Sequence, residues 1–181
     1  MEPELSPDIT MGELLARFPG ARRALFRNFH IGGCAQCGFS DTESLSHVCQ
    51  RYGQNDLNQV AQTILNAHEE DAKLFISPPA LQTFRRQNIP HRLIDTRSRE
   101  EHEAVRIEAS EFLTQELSTL LIQTPPSENI HLIFYDHQGR YVLDNASYFI
   151  GHGLKNVLCL QGGIDAWSLQ IDPALPRYHL E

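Results

Sequence analysis

Apolar positions along the 181-residue chain change rhythm once, near residue 72. Before that point they recur at helical spacing. Thr10-Met-Gly-Glu13 has the form of a capping box, in which a hydroxyl and a carboxylate satisfy reciprocal backbone donors, and Leu14, Leu15 and Phe18 follow on one helical face. Pro19 suits the first turn of a second helix, Ala21–Phe29, with Ala21, Leu25 and Phe29 four apart and Gly32-Gly33 as its stop. A second capping box, Ser40-Asp-Thr-Glu43, predicts a third helix running to Tyr52 and ended by Gly53. Asn55 or Asp56 caps a fourth, which carries Leu57, Val60, Ile64 and Leu65. Such short helices must pack on a partner to be stable.

Beyond residue 72, short apolar runs alternate with helical patterns. Strands are predicted at Leu74–Ser77, Arg92–Asp95, His131–Tyr135 and Asn156–Leu160. Helices are predicted at Pro79–Gln87, Ser98–Ala104, Glu111–Leu121, Val142–His152 and Gly163–Leu169, with a surface loop at Thr124–Asn129. Apolar strands alternating with helices predict an α/β fold with a small parallel sheet. The expected organisation is therefore an all-α domain over residues 1–71 and an α/β domain over 72–181, meeting at the polar run His68-Glu-Glu-Asp-Ala-Lys73.

Composition narrows the class. With 41% hydrophobic and 21% charged residues, the chain can bury a core and is not a disordered polymer. A net charge of −8 argues against a nucleic-acid surface and against an anionic membrane. Charge is uneven: residues 1–71 hold 5 Lys and Arg against 10 Asp and Glu, residues 72–181 hold 10 against 13. The longest apolar pieces, such as Leu120–Ile122 and Leu132–Tyr135, are strand-sized and far short of the ~18 residues of a membrane span. Met1–Asp8 has neither the basic start nor the apolar centre of a signal peptide. A cytoplasmic location is expected, with no nucleic-acid or membrane partner.

The cysteines are Cys34, Cys37, Cys49 and Cys159. Without a secretory signal, a close pair reads as redox-active or metal-binding rather than as part of a disulfide framework. Three readings of Cys34-Ala-Gln-Cys37 compete. A redox or sulfur-accepting dithiol ranks first, with a helix beginning near Asp41–Thr42 to stabilise one thiolate. A glycine-rich turn merely packed by its cysteines ranks second. A metal site drawing on Cys49 or His47 ranks third, because His47 and Cys49 make a poor second ligand pair. His30 and His47 are near enough in sequence to assist; His102, His131 and His152 show no metal spacing and read as ordinary. No cofactor and no bound metal are expected.

Two resemblances follow from these residues. Ile76-Ser-Pro78, Leu93-Ile-Asp-Thr-Arg97 with Glu100 and Glu101, Ile133-Phe-Tyr135 before a loop containing Gly139, and Leu160-Gln-Gly-Gly-Ile-Asp-Ala-Trp167 make residues 76–169 resemble a rhodanese homology domain. That resemblance implies a catalytic cysteine directly after the central strand, in a loop whose backbone N–H groups stabilise a thiolate or persulfide. Here that position is Asp136, in the loop Asp136, His137, Gln138, Gly139, Arg140, Tyr141. A carboxylate forms no persulfide, so the resemblance implies the fold and withholds the activity. Arg106-Ile-Glu-Ala-Ser110 likewise departs from the family's corner, losing a Pro and a Gly. Two readings of Asp136 stand: a solvated acid left by drift, or a carboxylate that occupies the anion nest in place of the thiolate. Cys159, on the last strand, is expected to be buried and inert.

Ile9-Thr-Met-Gly-Glu-Leu-Leu15, Phe18-Pro19, Ala24-Leu-Phe26, Gly33-Cys-Ala-Gln-Cys37 and Glu43-Ser-Leu45 make residues 8–71 similar to the hybrid-cluster-associated redox disulfide domain. Together the resemblances imply an accessory protein: a rhodanese-like unit that binds rather than transfers, and a dithiol in thiol or sulfur relay. The implied partner is a thiol-redox or sulfur-carrier protein. A sulfurtransferase using Cys34 or Cys37 as acceptor, and a pure interaction module, are the alternatives. The loop is expected to be the docking place, with His137, Gln138 and Arg140 presenting donors.

Overall fold

The computed structural model of the protein describes residues 5–32 and 38–178. Cys34 and Cys37 lie outside the described residues. The chain forms two compact units, Met1–Lys73 and Leu74–Glu181.

The first unit contains α1 (Met11–Arg17), α2 (Ala21–Phe29), α3 (Leu45–Arg51) and α4 (Leu57–Ala72). Thr10 and Glu13 form the expected capping box, and Asp56 caps α4 through the Gln59 N–H. Leu14, Phe18, Leu25, Ile31, Val48, Val60 and Ile64 bury one shared core, the gain that short helices need. Three expectations shift. Pro19 precedes α2, whose N-cap is Gly20. His30, in the left-handed conformation, ends α2 before the glycines are reached. Ser40 and Glu43 close only a turn, in which the Ser40 N–H donates to the Glu43 carboxylate at 2.7 Å. The third helix starts later, at Leu45 with Ser44 as cap, so no helix begins at Asp41–Thr42. The polar run 68–73 is helical through Ala72.

The second unit is built on a five-stranded, all-parallel sheet in the order β1 (Phe75–Ile76), β5 (Val157–Leu160), β4 (His131–Tyr135), β2 (His91–Asp95), β3 (Ser110–Phe112). Around it lie α5 (Pro78–Arg86), α6 (Arg99–Ala104), α7 (Gln115–Gln123), α8 (Val142–Gly151) and α9 (Gly163–Gln170). Side chains alternate between faces along a strand. Leu132 and Phe134 accordingly join a core with Leu121 of α7 and with Val142 and Phe149 of α8. Ile133 and Tyr135 join another with Leu81 of α5 and with Ile164 and Trp167 of α9. Burial on both faces accounts for the uninterrupted apolar run of β4. One element escaped the sequence reading. Ser110–Phe112 is an edge strand, and the helix expected from Glu111 starts at Gln115, capped by Thr114.

Candidate functional site

β2 and β4 lie side by side, with Asp95 opposite Tyr135. From β4 the chain moves to β5 on one side; from β2 it moves to β3 on the other. In open parallel sheets, ligands lie beyond the carboxyl ends of strands at such a divergence. Here the space is a cleft of about 390 Å³. Thr96, Arg97 and Glu101 line it from the β2 side. Asp136, His137, Gln138, Arg140 and Tyr141 line it from the loop after β4, with Asn145 of α8 beside them.

The backbone of that loop is held by α9. The Asp136 carbonyl accepts from the Ile164 N–H at 3.0 Å and the His137 carbonyl from the Asp165 N–H at 3.1 Å. Glycine is needed on both sides of this approach. Gly139 has φ of 77°, and a Cβ there would stand 2.8 Å from the Gly162 nitrogen. A Cβ on Gly163, at φ 59°, would collide with the Asp136 and His137 backbone.

Held this way, the loop turns its N–H groups onto the Asp136 side chain. Oδ1 accepts from the Gly139 N–H, and Oδ2 accepts from Tyr141 at 2.7 Å and from Val142 at 2.9 Å. Val142 opens α8, whose N-cap Tyr141 supplies no side-chain cap. Asp136 therefore performs the capping, and its charge lies at the positive end of the helix. It is 8% exposed and is not a solvated acid.

Asp95 is satisfied by different means. Fully buried, it pairs in a fork with Arg97, whose Nε and Nη2 donate at 2.9 and 2.6 Å. His102 Nδ1 lies 2.9 Å from Asp95 Oδ2, and the Tyr135 hydroxyl donates to the same oxygen at 2.9 Å. Burial works against the charge on Asp95, but the hydrogen bonds from Arg97 and His102 and the guanidinium's charge outweigh it, holding the carboxyl below its usual value. Arg97 is correspondingly raised against its own burial by Asp95. Tyr135 is pushed up by burial and by the charge of Asp95. His102, read from the sequence as an ordinary surface or satisfied core residue, is satisfied here by Asp95.

Tyr178 reaches three residues of the cleft lining from far along the chain. Its hydroxyl accepts from Arg97 Nη1 at 2.6 Å and donates to Glu101 Oε1 at 2.5 Å. Its ring stacks on His137 with centroids 4.3 Å apart and planes 1° from parallel. His137 is thus 8% exposed, beneath a phenol, rather than displayed as an outward donor. Burial, and the hydrogen bond to Glu101, push the Tyr178 phenol up to about 12 against the pull of Arg97. Arg97 and Glu101 stood in the quoted motif, so the sequence held a signal for them; for Tyr178 it held none.

The remaining candidates are dispersed. Cys49 is buried in α3, and burial raises its thiol; Cys159 is buried in β5. His47 pairs with Glu43 at 3.4 Å, and His30 serves as the cap of α2. Among the described residues, no group of three or more His, Cys, Asp or Glu is placed to hold a metal ion. Nor is any helix among them long and apolar enough to cross a membrane.

Comparison with known proteins bears on this arrangement. The model of the rhodanese-like domain family matches residues 79–170, just over half of the chain. The chain belongs to the rhodanese-like domain family. A rhodanese-like domain protein from Staphylococcus aureus is 17% identical, with a TM-score of 0.46 over 58% of this chain and 98% of that one. A thiosulfate sulfurtransferase from Pseudomonas aeruginosa is 18% identical, with a TM-score of 0.45 over 56% of this chain and 18% of that one. The reduced CoADR-RHD of Bacillus anthracis is 14% identical, with a TM-score of 0.49 over 90% of this chain and 27% of that one. No curated protein matches. In this rhodanese-like unit the cleft lies at the divergence of the central strands, and its loop encloses a carboxylate.

Proposed function

We propose that the rhodanese-like unit is a binding module that carries no sulfur, within an accessory protein whose thiol chemistry rests on Cys34 and Cys37. One observation supports the reading above the others: the loop N–H groups of Gly139, Tyr141 and Val142 all donate to the Asp136 carboxylate. By the resemblance, Asp136 stands where the family's cysteine would form a persulfide. A carboxylate offers no sulfur nucleophile, and it fills the nest that would hold the transferred group.

Thiosulfate and cyanide turnover tests this. The expected rate is that of buffer alone. Turnover that scales with protein and survives Cys34→Ser/Cys37→Ser would overturn the reading, because neither the loop nor the dithiol would account for it. Turnover lost in that double variant would move the activity to the dithiol, with Cys34 or Cys37 as acceptor. The dithiol proposal rests on the C-x-x-C spacing alone. Mild oxidation should place one reversible bridge in the Cys34–Cys37 peptide, seen by mass spectrometry after alkylation without reduction. Cys49 and Cys159 should remain alkylatable once the protein is unfolded. A thiol-redox or sulfur-carrier protein is the proposed partner.

A further inference from the structure

Tyr178 is held as a ligand would be held. Its ring lies flat on an imidazole, and its hydroxyl sits between a donor, Arg97 Nη1, and an acceptor, Glu101 Oε1. All three partners line the cleft. The donor is pre-set: the Arg97 side chain is 2% exposed and is fixed by Asp95 and by the Val105 carbonyl at 2.7 Å. The segment that delivers Tyr178 is itself largely exposed. Asp172, Pro173, Ala174, Pro176 and Arg177 are exposed. Its anchors are Leu175, which packs against the core of α5 and α9 and whose carbonyl accepts from the Ser168 hydroxyl at 2.7 Å, and the Arg177–Asp165 fork at 2.7 and 3.1 Å.

We propose that Arg97, Glu101 and His137 form a subsite for a neutral phenol, filled in this conformation by the protein's own Tyr178, and that a tyrosine side chain on a partner polypeptide takes its place. The proposal rests on the reading of the unit as a binding module and names what it binds. Charge sets the selectivity. Asp136 already occupies the anion nest, Asp95 already pairs with Arg97, and Glu101 faces the hydroxyl, so a phosphorylated ring meets carboxylates at each of these points, with Arg140 the remaining cation of the lining. A ring without the hydroxyl leaves Arg97 Nη1 and Glu101 without their bridging group, which a buried polar site penalises. The internal tyrosine competes with the external one, so apparent affinity scales with the fraction of molecules in which Tyr178 has left.

The test uses the full chain, N-acetyl-tyrosinamide as probe, and the His137 imidazole signals in NMR as readout. Tyr178→Ala should bind the probe saturably, at least ten-fold more tightly than the wild type. N-acetyl-phenylalaninamide and the phosphorylated tyrosinamide should each bind that variant at least ten-fold more weakly. Tyr178→Phe keeps the stack and the packing while losing the hydroxyl bridge. It should bind the probe more tightly than the wild type but less tightly than Tyr178→Ala, and it carries the test if the alanine variant does not fold. Equal affinity across the three proteins, or equal affinity for the tyrosine and phenylalanine probes, would overturn the proposal. Thiosulfate turnover, measured on the same samples, reports separately on the binding-module reading, so a failure of one is not taken for a failure of the other.

Discussion

Asp95 and Asp136 stand at the ends of neighbouring strands, and both are nearly or fully buried, yet they are stabilised by opposite strategies. Asp95 relies on side chains brought from separate elements: Arg97 beyond β2, His102 on α6 and Tyr135 on β4. Asp136 relies on backbone N–H groups within the six residues that follow it. The first arrangement recognises one particular partner set and fails if any member changes. The second recognises only an acceptor of the right size and charge. A site of the first kind is a clamp that ties strands and a helix together; a site of the second kind is a receptacle.

The difference is sharpest on removing each charge. Asp95→Asn leaves the Arg97 guanidinium buried without its counter-charge, a change that costs about 3–5 kcal/mol. Chemical denaturation should show that loss, and a change under about 1 kcal/mol would mean that the fork contributes nothing to holding the strands. Asp136→Ala should cost less, about 2–3 kcal/mol, because the freed N–H groups face a cleft that water can enter. Asp136→Cys should recover part of that loss and yield a thiol that alkylates below the usual cysteine range. An alkylation profile like that of a free cysteine would show that the receptacle is specific to carboxylate after all.

Acid separates the two in another way. Asp95 and Glu101 are both held below their usual values of 3.8 and 4.5 in the folded protein. Groups depressed on folding contribute stability that is present above the unfolded value and is lost as pH falls through the folded one. Calorimetric melting should therefore be level in this respect above about pH 5 and should fall with increasing slope below about pH 4. Tyr178→Phe should lessen the fall, since it removes the hydroxyl that helps depress Glu101. An unchanged slope in that variant would detach Tyr178 from the clamp.

Much of this was legible from local pattern. The runs at Arg92–Asp95 and His131–Tyr135 emerged as strands because they are apolar on both faces. The resemblance offers the receptacle as one of two readings of Asp136, and its donors, Gly139, Tyr141 and Val142, follow closely in the chain. The clamp was less legible: His102 and Tyr178 meet Arg97 and Asp95 only after the sheet and the segment beyond α9 are in place, and no spacing records that meeting. Ser110–Phe112 was lost because an edge strand of three residues is too short to show a period. The third helix was started too early because Ser40 and Glu43 satisfy the capping-box pattern while closing only a turn.

The smallest expected effect lies at the turn between α6 and β3. Ala109 keeps a left-handed backbone, with φ of 60°, although it carries a Cβ. Ala109→Gly should relieve that strain at the cost of a freer unfolded chain, a net stabilisation of about 0.5–1 kcal/mol. A destabilised variant would show that the alanine methyl packs where it stands.

The bonds from the first turn of α9 to the Asp136 and His137 carbonyls hold the loop by its main chain from one side, while the Asp136 carboxylate gathers its N–H groups from the other. Part of the receptacle's shape is thereby set independently of its chemistry. For an engineer, the same separation makes position 136 a socket into which different acceptors can be placed while Gly139, Gly162 and Gly163 are kept.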